Sequence, residues 1–226
     1  SSDLDFLFKQ LEGISNEIFH NAQETPILNA PRKRKDLKRV EKLYSWQQLL
    51  LENQLNALNQ NLAPEAVWNQ IIQLMNLPEG HSLIKITSNN FEQFKMRILQ
   101  MQEENYEPSR RTPIDLFEKA LSSSKGLGLG LLNGDQLIGI SFAGPLKHFS
   151  SERGVNEDPD FLNDDCLYCM DTTIGPEHRG KGFGSSLKYA FTLLAITQNC
   201  KKLNGRNRDK SAKEMFSINL SVGAFQ

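Results

Sequence analysis

Between a stretch that alternates like a β-strand, Cys166–Ile174, and one with helical apolar spacing, Phe183–Gln198, the chain runs Ile-Gly-Pro-Glu-His-Arg-Gly-Lys-Gly-Phe-Gly-Ser-Ser. Gly180, Gly182 and Gly184 strip side chains from this turn, so its backbone N–H groups can converge on one anion. The helix that follows adds the positive end of its dipole. Arg179 and Lys181 add formal charge. A glycine-rich turn from strand to helix is where a mixed α/β sheet takes phosphates, so the segment predicts a phosphate or pyrophosphate site.

Two common phosphate-binding patterns fit poorly. A dinucleotide G-x-G-x-x-G would need glycine at 187 or 185, where Leu187 and Ser185 stand. In a P-loop, Gly175, Gly180 and Lys181 fit, but the hydroxyl that holds Mg²⁺ is replaced by Gly182.

The rest of the chain reads in two textures. Leu4, Leu7, Leu11, Ile14 and Ile18 recur at helical spacing, as do Leu37, Val40, Leu43, Leu50, Leu55 and Leu58. Pro64 opens a third helix whose inner side is Val67, Trp68, Ile71, Ile72 and Met75, and Pro78-Glu79-Gly80 ends it. Residues 1–78 thus read as an all-helical accessory region and 79–226 as a second domain. There, Ser82–Thr87 reads as a strand, Phe91–Tyr106 and a segment opened by Thr112-Pro113 as helices, and Gly126–Leu132 and Gln136–Phe142 as a hairpin across Asn133-Gly134. After the strand, turn and helix around Gly175–Gly182 come a short strand at Leu203 and a final helix, Ser211–Val222.

Arg179-Gly180-Lys181-Gly182-Phe183-Gly184, with Pro176 three residues ahead, resembles the (Arg/Gln)-x-x-Gly-x-(Gly/Ala) signature of GNAT N-acetyltransferases. Met215, Asn219, Val222 and Gly223 resemble a second family segment, and the resemblance covers about residues 81–225. It implies an α/β fold with a mixed, mostly antiparallel central sheet flanked by helices. It also implies acetyl-CoA as co-substrate and no metal. The pyrophosphate would lie on Arg179, Gly180, Lys181, Gly182, Phe183, Gly184 and Ser185, and the pantetheine arm would pair with Thr172, Thr173 and Ile174. An amine, on a small molecule or a protein, would attack the acyl carbonyl directly, with one group taking its proton and another protonating the leaving thiolate. Tyr168 occupies the place of the general-base Glu of some relatives, so Asp171, or a water held by Asp164 or Asp165, becomes the candidate base. Asn219 and Ala212 replace the family's frequent Tyr and Asn. No residues remain for the two strands that the family adds after its last helix, so the chain is expected to be a C-terminally incomplete fragment. A non-catalytic acyl-CoA-binding module is the alternative to an enzyme, and a P-loop-like nucleotide binder is a weaker third reading.

Other features have plainer readings. Cys166 and Cys169 are three apart on a strand and so face opposite sides, which argues against a shared metal. Glu152, Glu157, Asp158, Asp160, Asp164 and Asp165 form an acidic loop that reads first as a solvated face, with attraction of a cationic amine or basic peptide as the alternative. The basic run Pro31–Lys35 reads as a solvated helix entrance. His178, in the turn, reads as exposed. A net charge of −1 argues against a globally basic nucleic-acid binder. No apolar run approaches the ~20 residues of a membrane span, and no secretory leader opens the chain. Three cysteines are too few for a disulfide framework. The expected setting is cytoplasmic, with residues 1–78 available to a protein partner.

Overall fold

The computed structural model describes residues 64–152, 154–198 and 200–205. The chain divides into two compact units, Ser1–Gln48 and Leu49–Gln226, and every described residue lies in the second. The helices expected in residues 3–62, the basic run and the final helix Ser211–Val222 lie outside the described residues.

The elements follow the apolar patterning closely. Helix α1 is Pro64–Met75 and strand β1 is His81–Lys85, followed by helices α2, Phe91–Asn105, and α3, Ile114–Leu121. Strands β2, Leu127–Asn133, and β3, Gln136–Pro145, form the hairpin. Asn133 pairs with Gln136, so the loop residues are Gly134 and Asp135 rather than Asn133-Gly134. Gly134 takes φ 56°, the left-handed region that glycine enters without a Cβ clash. Strand β4 is Cys166–Ile174, helix α4 is Phe183–Thr197 and strand β5 is Lys202–Gly205.

The sheet has the order β1-β2-β3-β4-β5. Its first three pairings are antiparallel and β4 with β5 is parallel. This is the mixed, mostly antiparallel sheet that the GNAT resemblance implies. Helices α2 and α3 cover one face, where Ile98, Met101 and Phe117 pack with Ile140 and Phe142. Phe142 stands edge-on to Phe117, with ring centroids 4.9 Å apart, a favoured aromatic geometry.

Helix α4 covers the other face, and α1 packs against α4. Ile71 and Met75 of α1 are buried, and Lys85 of β1 sits 4.8 Å from the Trp68 ring. The helix expected to close the accessory region at residue 78 therefore packs with the sheet unit, because its apolar stripe is long enough to find α4.

Glycines in β2 and β3 let backbones approach closely. A Cβ on Gly128 would lie 2.4 Å from the carbonyl oxygen of Ile86. We expect Gly128→Ala to destabilise the protein by about 1–3 kcal/mol, read as a lower urea midpoint. An unchanged midpoint would contradict this packing at the end of β1.

Candidate active site

Strand β4 carries the geometry on which the site is built. It pairs with β3 in register from Gly139↔Ile174 to Phe142↔Asp171, then resumes at Ala143↔Cys169, so Met170 is an extra, bulged residue. A bulge bends a strand and re-aims the side chains beside it. Tyr168 packs on the α2–α3 face with Phe149 and Cys166. Asp171 points to the same face, where it meets Gln102 of α2. Cys169, Thr172 and Ile174 face α4: Cys169 meets Lys188, Thr172 meets Ser141, and Ile174 and Leu187 both reach the space beside Gly139. Cys166 and Cys169 thus lie on opposite faces, as their spacing predicts.

The outer edge of β4 changes character midway. Among the described residues, strand β5 pairs from Cys166↔Lys202 to Cys169↔Gly205. From Met170 to Ile174, β4 has a partner strand only on its β3 side among the described residues. Side chains already engage two carbonyls of that stretch: Ile174 O accepts from Arg179 Nε at 3.3 Å and Asp171 O from Ser141 Oγ at 3.4 Å.

The turn after β4 has an open cradle. Pro176–His178 forms a short 3₁₀ turn, and Gly180 and Gly182 then take φ 74° and 87°. A Cβ at either position would meet nothing within 4 Å, so the space ahead of both is clear. Helix α4 begins at Phe183, and its first N–H groups have no acceptor within the helix. Ser186 is the first to close a bond back, to Gly182 O at 3.1 Å.

The two cations of the turn differ. Arg179 turns back to Ile174 O and to Asn105 Oδ1 at the end of α2, bracing the loop. Lys181 is exposed at the tip. His178, expected to be exposed, is buried, with Nε2 3.3 Å from Glu177 Oε1. Its backbone lies in the 3₁₀ turn, and its ring is packed inside the protein rather than exposed.

On the α2–α3 face, a cavity of about 470 Å³ is lined by Arg110, Arg111, Thr112, Glu152, Tyr168 and Met170, among others. Tyr168 reaches this cavity, its ring 5.3 Å from that of Phe149. Asp171 lies behind it, only 7% exposed. Gln102 Nε2 donates to Asp171 Oδ2 at 2.6 Å, and Gln102 Oε1 accepts from Thr112 N–H at 2.9 Å. Thr173 donates to Asp171 Oδ1, and Tyr106 shares a 2.7 Å hydrogen bond with Thr173 Oγ1. Burial pushes the Asp171 carboxyl up to about 6, against the pull of the bonds from Thr173, Gln102 and Thr112.

The structure therefore brings Tyr168 and Asp171 to one face but places only Tyr168 on the cavity wall. Asp164 and Asp165, the alternative water-holding acids, are engaged elsewhere. Asp164 pairs with Lys147 at 2.7 Å, and Asp165 with Lys125 at 3.1 Å and Lys201 at 3.3 Å. Lys202 of β5 similarly binds Asp158 and Asp160. Most of the acidic loop is thus neutralised by lysines that anchor it, which removes the basis for reading it as a cation attractor. Sequence alone missed the Gln102–Asp171–Thr173–Tyr106 chain, whose members are far apart in sequence and carry no spacing signal.

No family model matches the sequence, and no curated protein matches it. Among solved structures, the chain is similar to an aminoglycoside acetyltransferase from an uncultured soil metagenomic sample, with 12% identity, a TM-score of 0.45, and coverage of 64% of this chain and 88% of that one. It is similar to a GCN5-related N-acetyltransferase from Ralstonia eutropha JMP134, at 13% identity and TM-score 0.45, over 65% of this chain and 94% of that one. A ribosomal-protein-alanine N-acetyltransferase from Brucella melitensis biovar Abortus 2308 is similar at 16% identity and TM-score 0.40, over 60% and 87%. At such identities the likeness is one of fold and extends to no residue role.

The Asp171 carboxyl makes stability depend on pH. Its native pKa, about 6, lies above the ordinary 3.8, so between these values the native state holds a proton that the unfolded chain has released. The stabilisation is complete below the lower value and is lost as pH rises through the upper one, a change of roughly 3 kcal/mol. Urea denaturation should show wild type losing stability relative to Asp171→Asn between about pH 4 and pH 7. A difference that stays flat over that range would contradict the buried, protonated carboxyl.

Proposed function

We propose that this chain is an N-acyltransferase that moves an acetyl group from acetyl-CoA to an amine within a ternary complex. The observation that carries this reading is the open cradle at Gly180 and Gly182. It lies at the mouth of α4, beside a strand edge that has no β5 partner among the described residues.

In this reading the N–H groups of Gly180–Ser185 hold the pyrophosphate, and exposed Lys181 adds charge. The free edge at Thr172, Thr173 and Ile174 pairs with the pantetheine arm through main-chain groups. When bound, the coenzyme supplies an activated acyl thioester. The bulge at Met170 offers an N–H outside the β3 register, suited to polarising a carbonyl; such a donor is commonly worth about 3 kcal/mol. The cavity beneath Tyr168 receives the acceptor amine. Asp171 takes its proton through Thr173 and Tyr106, whose hydroxyls form a continuous hydrogen-bonded path to the carboxylate. Tyr168 orients the acceptor. No helix among the described residues is long and apolar enough to cross a membrane, and the free thiols of Cys166, Cys169 and Cys200 suit a cytoplasmic setting.

Asp171 standing behind the cavity wall favours one rival, a non-catalytic acyl-CoA-binding module. Thiol release from acetyl-CoA with a panel of amines separates the two. An enzyme shows turnover whose rate rises with an apparent pKa near 6, the value to which burial raises Asp171, and Asp171→Asn removes that limb. A binder shows none.

The cradle itself is tested by calorimetry. Gly182→Asp places a side chain and a negative charge in the anion site, and is expected to weaken acetyl-CoA binding by ~100-fold, about 3 kcal/mol. Unchanged affinity would remove the proposed site.

A further inference from the structure

Lys188 is an anomaly in the α4 face. It is only 6% exposed, yet none of the ion pairs among the described residues gives it a carboxylate. Its Nζ lies 3.1 Å from Cys169 Sγ and 6.0 Å from the centroid of the Phe191 ring. Burying an amine against a thiol and an aromatic ring costs stability that an ordinary core residue would not. Such a position suits a reactive lysine better than a structural one.

The location gives the pair a substrate. Cys169 pairs with Gly205 of β5, and among the described residues the edge from Met170 onward has no partner on that side. A strand rises about 3.3 Å per residue, so Met170–Ile174 provides roughly 16 Å of open edge between Cys169 and the glycine turn. An extended arm anchored by its phosphates at Gly180–Ser185 and laid along that edge would end beside Cys169. Gly205 contributes no side chain there, where a Cβ would touch Cys169 at 3.8 Å.

We propose that Cys169 and Lys188 form a self-acylation site, in which the chain takes an acyl group from a bound acyl thioester and fixes it on its own Lys188. The inference rests on the acyl-CoA reading of the cradle. Cys169 sulfur attacks the thioester carbonyl, forming a new carbon–sulfur bond as the bond to the leaving thiol breaks. The proton shared between Cys169 and Lys188 passes to the departing thiolate. The Lys188 amine then attacks the acyl group on Cys169, forming an amide, and a proton from nitrogen returns the cysteine to its thiol. The net change is one thioester consumed, one free thiol released and one acylated lysine. No oxidant or reductant enters.

The test is covalent and needs no acceptor amine. The full chain is incubated with acetyl-CoA, freed of ligand, and read by intact mass and peptide mapping. The expected result is one acetyl group per chain, on Lys188. Cys169→Ser should slow its appearance by roughly tenfold or more, since the relay loses its intramolecular first step. Lys188→Arg should leave the acetyl group on Cys169, removable by hydroxylamine. Acetylation spread over exposed lysines, or none at Lys188, would overturn the inference if calorimetry shows that the same wild-type preparation binds acetyl-CoA. The cradle reading would then stand. Absence of binding would overturn both.

Discussion

Among the described residues, strand β4 is held on both edges at its start and on one edge at its end. That asymmetry organises the site. The parallel pairing with β5 is described as far as Cys169↔Gly205, while the antiparallel pairing with β3 continues to Ile174. Backbone donors and acceptors that lack a partner are costly when shielded from water, so a strand edge left open inside a fold invites a ligand with its own amide groups. The bulge at Met170 falls beside the point where β5 departs. It sets Tyr168 and Asp171 on the α2–α3 face while Cys169 and Thr172 turn to α4, so one strand addresses two different environments.

Those environments differ in how they treat polar groups. On the α2–α3 face, Asp171 is buried with hydrogen bonds from Gln102 and Thr173, and low solvent access raises its proton affinity. The result is a carboxyl close to half-ionised around pH 6, the range in which a group can both accept and release a proton readily. On the α4 face, the buried polar pair is a thiol and an amine, with chemistry of a nucleophilic kind. Arg179 ties the turn to α2 through Asn105 and to β4 through Ile174. Through these bonds the turn is tied to both β4 and α2.

Much of this frame was legible in the residues. Strand β4 matched its expected span, and the apolar spacing of α2, α3 and α4 located each helix to within a few residues, because each buries one face against a sheet. The glycine turn was legible because positive φ at Gly180 and Gly182 needs residues without side chains. What escaped was whatever depends on distant partners. The bulge at Met170 arises from pairing with β3, and nothing local to Cys166–Ile174 announces it. Gln102 reads as an ordinary helix residue until α2 is laid across Asp171. The acidic loop looked like an attractor because Lys125, Lys147, Lys201 and Lys202, which neutralise it, lie before and after it in sequence. His178 was misplaced because a short 3₁₀ turn, not the flanking charge, sets its direction.

If main-chain amides of the turn and the outer edge of β4 form a single coenzyme site, amide chemical shifts will register it as coenzyme A is added. Saturable changes concentrated in Gly180–Ser185 and Met170–Ile174 are expected, with α2 and α3 little affected. Amides of both segments that stay unmoved at a coenzyme concentration shown to saturate the protein would contradict it.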